Sequence, residues 1–185
     1  MGDANALYAI TSGGTITDIT PTAGLAVGYP DAVEIVGFGG KPFGTGFYGI
    51  QRPNDGILGD ATTWSLANWG EYLLACDSAD EIIYEYILTG VAEPVANAPT
   101  ATSIVVTAER FLFALGAGGI PRKVQWCDRE NNTAWTPAAT NEAGDIELQT
   151  NGEIMSGLQV RGRTLLLTTT DAHIATYSGP PTVYG

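Results

Sequence analysis

The chain has 185 residues, 24 glycines, 10 prolines, 15% charged residues and a formal net charge of −12. That length suits one domain with a sizeable core, either whole or part of a larger protein, and the glycine and proline content suits a turn-rich all-β fold. The charge argues against general nucleic-acid affinity, which needs a basic footprint, and no apolar run approaches the roughly 20 residues of a membrane-spanning helix.

In chain order, the first residues (Met1-Gly2-Asp3-Ala4-Asn5) lack the basic and apolar regions of a signal peptide, so folding in a cytosol is expected. A first hairpin follows: Leu7-Tyr8-Ala9-Ile10, a Ser12-Gly13-Gly14 turn, then Thr15 to Thr20. From about 24 to 59 glycines interleave with aromatics, as in Phe38, Phe43, Phe47 and Tyr48. Such a segment forms neither helix nor regular sheet cheaply, and reads as a long insertion that covers a sheet edge or contacts a neighbouring subunit. Gly44 to Gly49 fits the spelling G-x-G-x-x-G. Pro53-Asn54-Asp55-Gly56 follows it instead of a helix, which removes the physical basis for dinucleotide binding.

The second hairpin is Tyr72 to Cys76, an Asp77–Asp80 turn and Ile82 to Tyr86. The third is the most distinctive. Phe111 to Leu115 is apolar at successive positions, as a strand covered on both faces must be. Gly116, Gly118, Gly119 and Pro121 break the run. Val124 and Trp126 then alternate with Lys123 and Gln125, the pattern of a half-buried strand, before the chain turns at Asp128 to Asn132. The fourth hairpin is Thr164 to Thr168, a turn near Thr170-Asp171, and His173 to Tyr177. Ile104-Val105-Val106 and Ile146-Glu147-Leu148 read as extra strands before the third and fourth hairpins.

Each hairpin joins an apolar strand to a more alternating one. A mostly-strand unit recurring every 40–50 residues or so marks a β-propeller blade. The expected fold is therefore a single all-β domain, a degenerate β-propeller-like array of antiparallel hairpins, either incomplete or completed by oligomerisation. A β-sandwich of hairpins is the alternative. Trp64, Trp69, Trp126 and Trp135 are the expected packing anchors.

The residues supply no recognisable reaction chemistry. His173 is the single histidine, too few for a histidine-built metal site, and no Gly-x-Ser-x-Gly elbow is present. The acids Asp77, Asp80, Glu81, Asp128 and Glu130 lack calcium-loop spacing and read as turn residues. Asp128 to Trp135 departs from the Asp-box of propeller glycosidases in spacing and in lacking its glycine. Cys76 and Cys127 each follow an apolar strand and read as buried free thiols. No catalytic residue, cofactor or metal is expected. Six of the eight basic residues lie between Arg110 and Arg163, which reads as solvated strand edges or as a partner-facing patch, with Arg122, Lys123 and Arg129 the candidate subunit contacts.

The string Lys123 to Pro137 (KVQWCDRENNTAWTP), followed by Asn141-Glu142-Ala143-Gly144-Asp145 and later Ser178-Gly179-Pro180-Pro181, resembles segments of tailed-bacteriophage virion proteins. Leu7-Tyr8, Thr17 to Pro21, Thr63 to Glu71 and the Gly/aromatic segment are similar to those proteins too. The architecture is similar to the propeller-bearing nozzle (tail tubular) and DNA-stabilising proteins of short-tailed phages. That resemblance implies a structural, non-enzymatic subunit of a tail or neck ring, commonly sixfold, around the DNA exit channel. It also implies partners among other tail and neck proteins, passive contact with passing DNA, and assembly in the host cytoplasm into the virion. A receptor- or glycan-binding propeller module of a tail fibre is the alternative.

Overall fold

Short loops built on residues with positive φ fold the chain into successive antiparallel meanders. The computed structural model describes residues 2, 3, 5–26, 28 and 61–185. Most of the Gly/aromatic segment, including Phe38, Phe43, Phe47 and Tyr48, lies outside the described residues.

Strands β1 (Tyr8–Ile10) and β2 (Ile16–Asp18) form a two-stranded hairpin. Sheet A runs β3 (Trp64–Trp69), β4 (Tyr72–Asp77), β5 (Ile83–Tyr86) and β6 (Glu93–Pro94), each beside its predecessor. Sheet B repeats that order with β7 (Ser103–Val106), β8 (Leu112–Leu115), β9 (Lys123–Trp126) and β10 (Gly144–Glu147). Sheet C has β11 (Ile154–Val160), β12 (Arg163–Thr168) and β13 (Ala172–Ala175). The protein is all-β, and none of these four antiparallel sheets closes into a barrel.

The four expected hairpins are present with their expected turns. One strand assignment needs correction. Ile146 to Leu148 was placed before the fourth hairpin, but Ile146 pairs with Val124, making β10 the last strand of sheet B. The strand that precedes the fourth hairpin is β11, joined to β12 by Arg161 and Gly162 at φ 48° and 77°. Two successive positive φ values make a type I′ turn, whose twist matches the flanking strands.

The sheets stack face to face. The inner side of the β1–β2 hairpin brings Leu7 and Ile19 onto Ala75 and Tyr84 of sheet A. The other face of sheet A, with Leu74, Cys76 and Ile83, meets Ile104, Leu112 and Ala114 of sheet B. The far side of sheet B, with Val105, Phe113, Leu115, Val124 and Trp126, meets Ile154 and Leu166 of sheet C. The first strands lie side by side, β7 packing against β3 on one flank and β11 on the other. The Ile104 amide donates to Ser65 Oγ at 2.9 Å across the first of these contacts.

The C-terminal residues fold back as Tyr177 pairs with Tyr184. The Tyr184 ring lies 4.7 Å from Phe113 and 5.5 Å from Trp126, both edge-on, the arrangement that ring quadrupoles favour. Its hydroxyl donates to Thr107 Oγ1 at 2.9 Å, which satisfies the polar tip of a buried ring.

Candidate functional site

The candidate site is a sheet face, and β12 is the strand that defines it. Thr164-Leu165-Leu166-Leu167 has the composition of a strand apolar on both sides, like β4 and β8. Leu74, Ala75 and Cys76 of β4, and all four residues of β8, are buried, because each of those strands lies between two layers. Among the described residues, only one side of β12 is covered. Leu166 is 2% exposed towards sheet B, whereas Leu167 is 40% exposed and Leu165 is half-buried.

Register sets which neighbours share the open side. Leu165 stands opposite Leu158 of β11 and Ile174 of β13, and Val160 stands opposite Arg163. Directly paired residues share a face, and so do residues two apart on one strand. Leu158, Val160, Leu165, Leu167 and Ile174 therefore form one apolar patch. Leu158 is 58% and Ile174 56% exposed. Arg163 and Arg161 rim the shallow groove formed with Val160, Leu165 and Ile174. Among the described residues neither arginine forms an ion pair. Fully burying a Leu or Ile contributes about 1.5–3 kcal/mol, and these side chains are about half covered already, so a layer placed here would gain about half of that at each.

A local irregularity orients this face. Register shifts between Ile154 and Ser156, leaving Met155 as a bulge. Ile154 and Gly157 thus both turn towards sheet B, and Leu158 and Val160 alternate with solvent-side geometry. Gly157 is required where β11 meets sheet B: a Cβ there would stand 2.7 Å from Val105 Cγ1 and 3.0 Å from Leu115 Cδ1.

Trp69, Trp126 and Trp135 are buried, and Trp64 is half-buried with its Nε1 donating to the Asp3 carbonyl. Arg110 lies over the Trp69 ring, 5.3 Å from its centroid, a cation–π contact between sheets A and B. Trp126 Nε1 donates to the Glu142 carbonyl, and Trp135 Nε1 to the Asn132 carbonyl. Asn132 Nδ2 donates to Glu85 Oε1, tying the loop after β9 to sheet A.

Arg122 and Lys123 pair across the β9–β10 ladder with Glu147 at 3.1 Å and Asp145 at 3.3 Å. Arg129 is exposed on the Asp128–Asn131 turn. The arginines beside the apolar face are Arg161 and Arg163. The three successive leucines of β12 were the available signal for this face, but they read as core.

Cys76 and Cys127 are free and fully buried. Burial pushes the Cys127 thiol up to about 12 and raises Cys76 as well, so neither is a poised nucleophile. His173 Nε2 lies 3.2 Å from Asp171 Oδ1, and that carboxylate also accepts from Thr150 and Thr168. The hydrogen bond from Thr168 is the main reason that the Asp171 carboxyl lies below its ordinary value. Asp77 accepts the Ala79 and Asp80 amides, yet burial dominates and raises its carboxyl. Both carboxylates organise tight turns.

Among the described residues, no group of three His, Cys, Asp or Glu side chains could hold a metal ion. A groove along one flank, spanning the strand ends of sheets A, B and C and lined by Ser78, Glu81, Gly116, Pro121, Glu153 and Met155 among others, has two carboxylates and no aromatic ring in its lining. Comparison with family models, curated proteins and solved structures gives no match.

Proposed function

We propose that this chain is a structural, non-catalytic subunit of a bacteriophage virion, part of a nozzle-like tail or neck ring around the DNA exit channel. The observation that carries the reading is β12, a strand apolar on both sides with a cover on only one. Contiguous exposed apolar surface is characteristic of interaction sites, and a ring subunit must present surfaces of this kind to its neighbours. The likeness of residues 123–145 to virion segments supports placing that assembly in a phage tail or neck.

The same reading takes the fold as an arc of a β-propeller. Successive antiparallel meanders with first strands side by side support it, since in propellers the innermost strands of adjacent blades meet near the axis. The acidity of the chain suits a channel wall that repels phosphate and lets DNA pass without gripping it.

Negative-stain imaging of the native assembly tests the proposal, together with detection of the chain in purified particles. A closed ring, sixfold or of similar order, is the expected image. A monomer absent from particles overturns the reading.

A further inference from the structure

Among the described residues the stack of layers has two ends, and they differ in a complementary way. One end is the open side of sheet C, with Leu158, Leu165 and Ile174 exposed and Arg161 and Arg163 at its rim. The opposite end is the outer side of the β1–β2 hairpin. Leu7 and Ala9 of that hairpin point towards sheet A, which leaves Ile10 and Ile16 outward, opposite each other in register. Ile10 is 51% and Ile16 65% exposed. Tyr8 and Asp18 form the next pair but one on the same side, and Asp18 is an exposed carboxylate.

Charge follows the same division. The described residues up to Gly28 contain two acids, Asp3 and Asp18, and no lysine or arginine, whereas residues 154–185 contain two arginines and one acid. In a chain of net charge −12, the open side of sheet C is thus bordered by two of its few cations. Two acidic copies repel each other on average, so contact is favoured where opposite local charges meet.

We infer that a second copy of this chain seats its β1–β2 hairpin on the open face of sheet C. Ile10 and Ile16 lie against Leu158, Leu165 and Ile174, with Asp18 near Arg161 and Arg163. This extends the assembly reading above, on which it rests, by naming the two surfaces. The contact repeats a step already present inside the chain, where hairpin, sheet A, sheet B and sheet C each lay one apolar face on the next. It is heterologous: each copy uses one surface as donor and a different one as acceptor. Such a contact propagates until it closes into a ring or extends as a filament. Both arginines and Asp18 remain at the rim, where they set orientation more than affinity.

The test uses two full-length variants, Ile16→Asp and Ile174→Asp, each altering one surface at an exposed position where a polar residue leaves the fold intact. Far-UV circular dichroism and thermal unfolding verify that. Sedimentation velocity is then recorded for wild type, each variant and an equimolar mixture. Wild type is expected to assemble, each variant alone to be monomeric, and the mixture to stop at a dimer, since each variant keeps one intact surface. Assembly of both variants like wild type overturns this contact while leaving the ring reading in place. Loss of assembly in Ile174→Asp but not in Ile16→Asp identifies two sheet C faces meeting each other and also overturns it. A mixture that stays monomeric does the same. A wild-type chain that is monomeric at every concentration overturns this contact and the ring reading together.

Discussion

Replacing Gly157 with alanine probes the stacking of sheet C on sheet B with a single methyl group. Gly157 does not have a left-handed φ, so backbone strain is not at issue. The new Cβ would stand 2.7 Å from Val105 Cγ1, 3.2 Å from Val105 Cβ and 3.0 Å from Leu115 Cδ1. Val105 and Leu115 are buried and β-branched or tightly enclosed, so neither can swing aside without moving its strand. Overpacking of this kind costs about 1–3 kcal/mol. Removing a strand glycine returns about 0.5–1 kcal/mol through the unfolded chain. The expected net effect of Gly157→Ala is a loss of about 1–2 kcal/mol in urea unfolding with the m-value unchanged. Val105→Ala removes the nearest methyl, and the double variant is expected to be more stable than the sum of the two changes by about 1 kcal/mol. A Gly157→Ala protein as stable as wild type, or strict additivity with Val105→Ala, would refute the packing of β11 on sheet B.

Three further outcomes follow from other parts of the structure. Gly144→Ala places a Cβ 2.5 Å from Cζ2 of Trp126, a ring wedged against Phe113 and Tyr184; a loss of about 1–3 kcal/mol in urea unfolding is expected, and an unchanged midpoint would contradict the pairing of these residues. Cys76 and Cys127 should ignore a thiol reagent at pH 8 in the native protein and react fully in denaturant, since both are buried with raised thiol values; rapid native labelling of either one contradicts their placement. Asp77 has a carboxyl raised mainly by burial, so the folded state holds that proton more tightly than the unfolded chain. Its contribution to stability is full below the unfolded value of about 3.9 and is lost as pH rises through the raised folded value. Asp77→Asn keeps an oxygen acceptor for the Ala79 and Asp80 amides and should flatten that part of the curve of unfolding free energy against pH, whereas parallel curves for the two proteins would count against the assignment.

Much of the fold was legible because the hairpin signals are local. Glycine and aspartate turns at Ser12–Gly14, Asp77–Asp80 and Gly116–Gly119 separate strands whose apolar patterns are unambiguous. Three strands were missed for physical reasons. Trp64–Trp69 stands out for its tryptophans and its likeness to virion segments but not for a strand pattern, and Glu93–Pro94 is too short to carry one. β11 hides its period, because the bulge at Met155 shifts the alternation and its apolar residues Leu158 and Val160 face outward while Gly157 faces the core. The long loop from Cys127 to Ala143 concealed the pairing of Ile146 with Val124. The candidate site was harder still. Arg122 and Lys123 stand out in the sequence as cations, but their partners, Glu147 and Asp145, lie more than 20 residues away and meet them only through the β9–β10 ladder. The leucines of β12 were visible, but composition cannot say whether the second cover of an apolar strand lies within the same chain.

Hydroxyl-radical footprinting with mass spectrometry, on assembled and dilute protein, tests that missing cover most directly. Leu158, Leu165 and Ile174 should lose reactivity on assembly in step with Ile10 and Ile16, while Ile87 and Leu88, exposed elsewhere on the molecule, remain unchanged. Equal oxidation of the sheet C residues in both states would contradict the account.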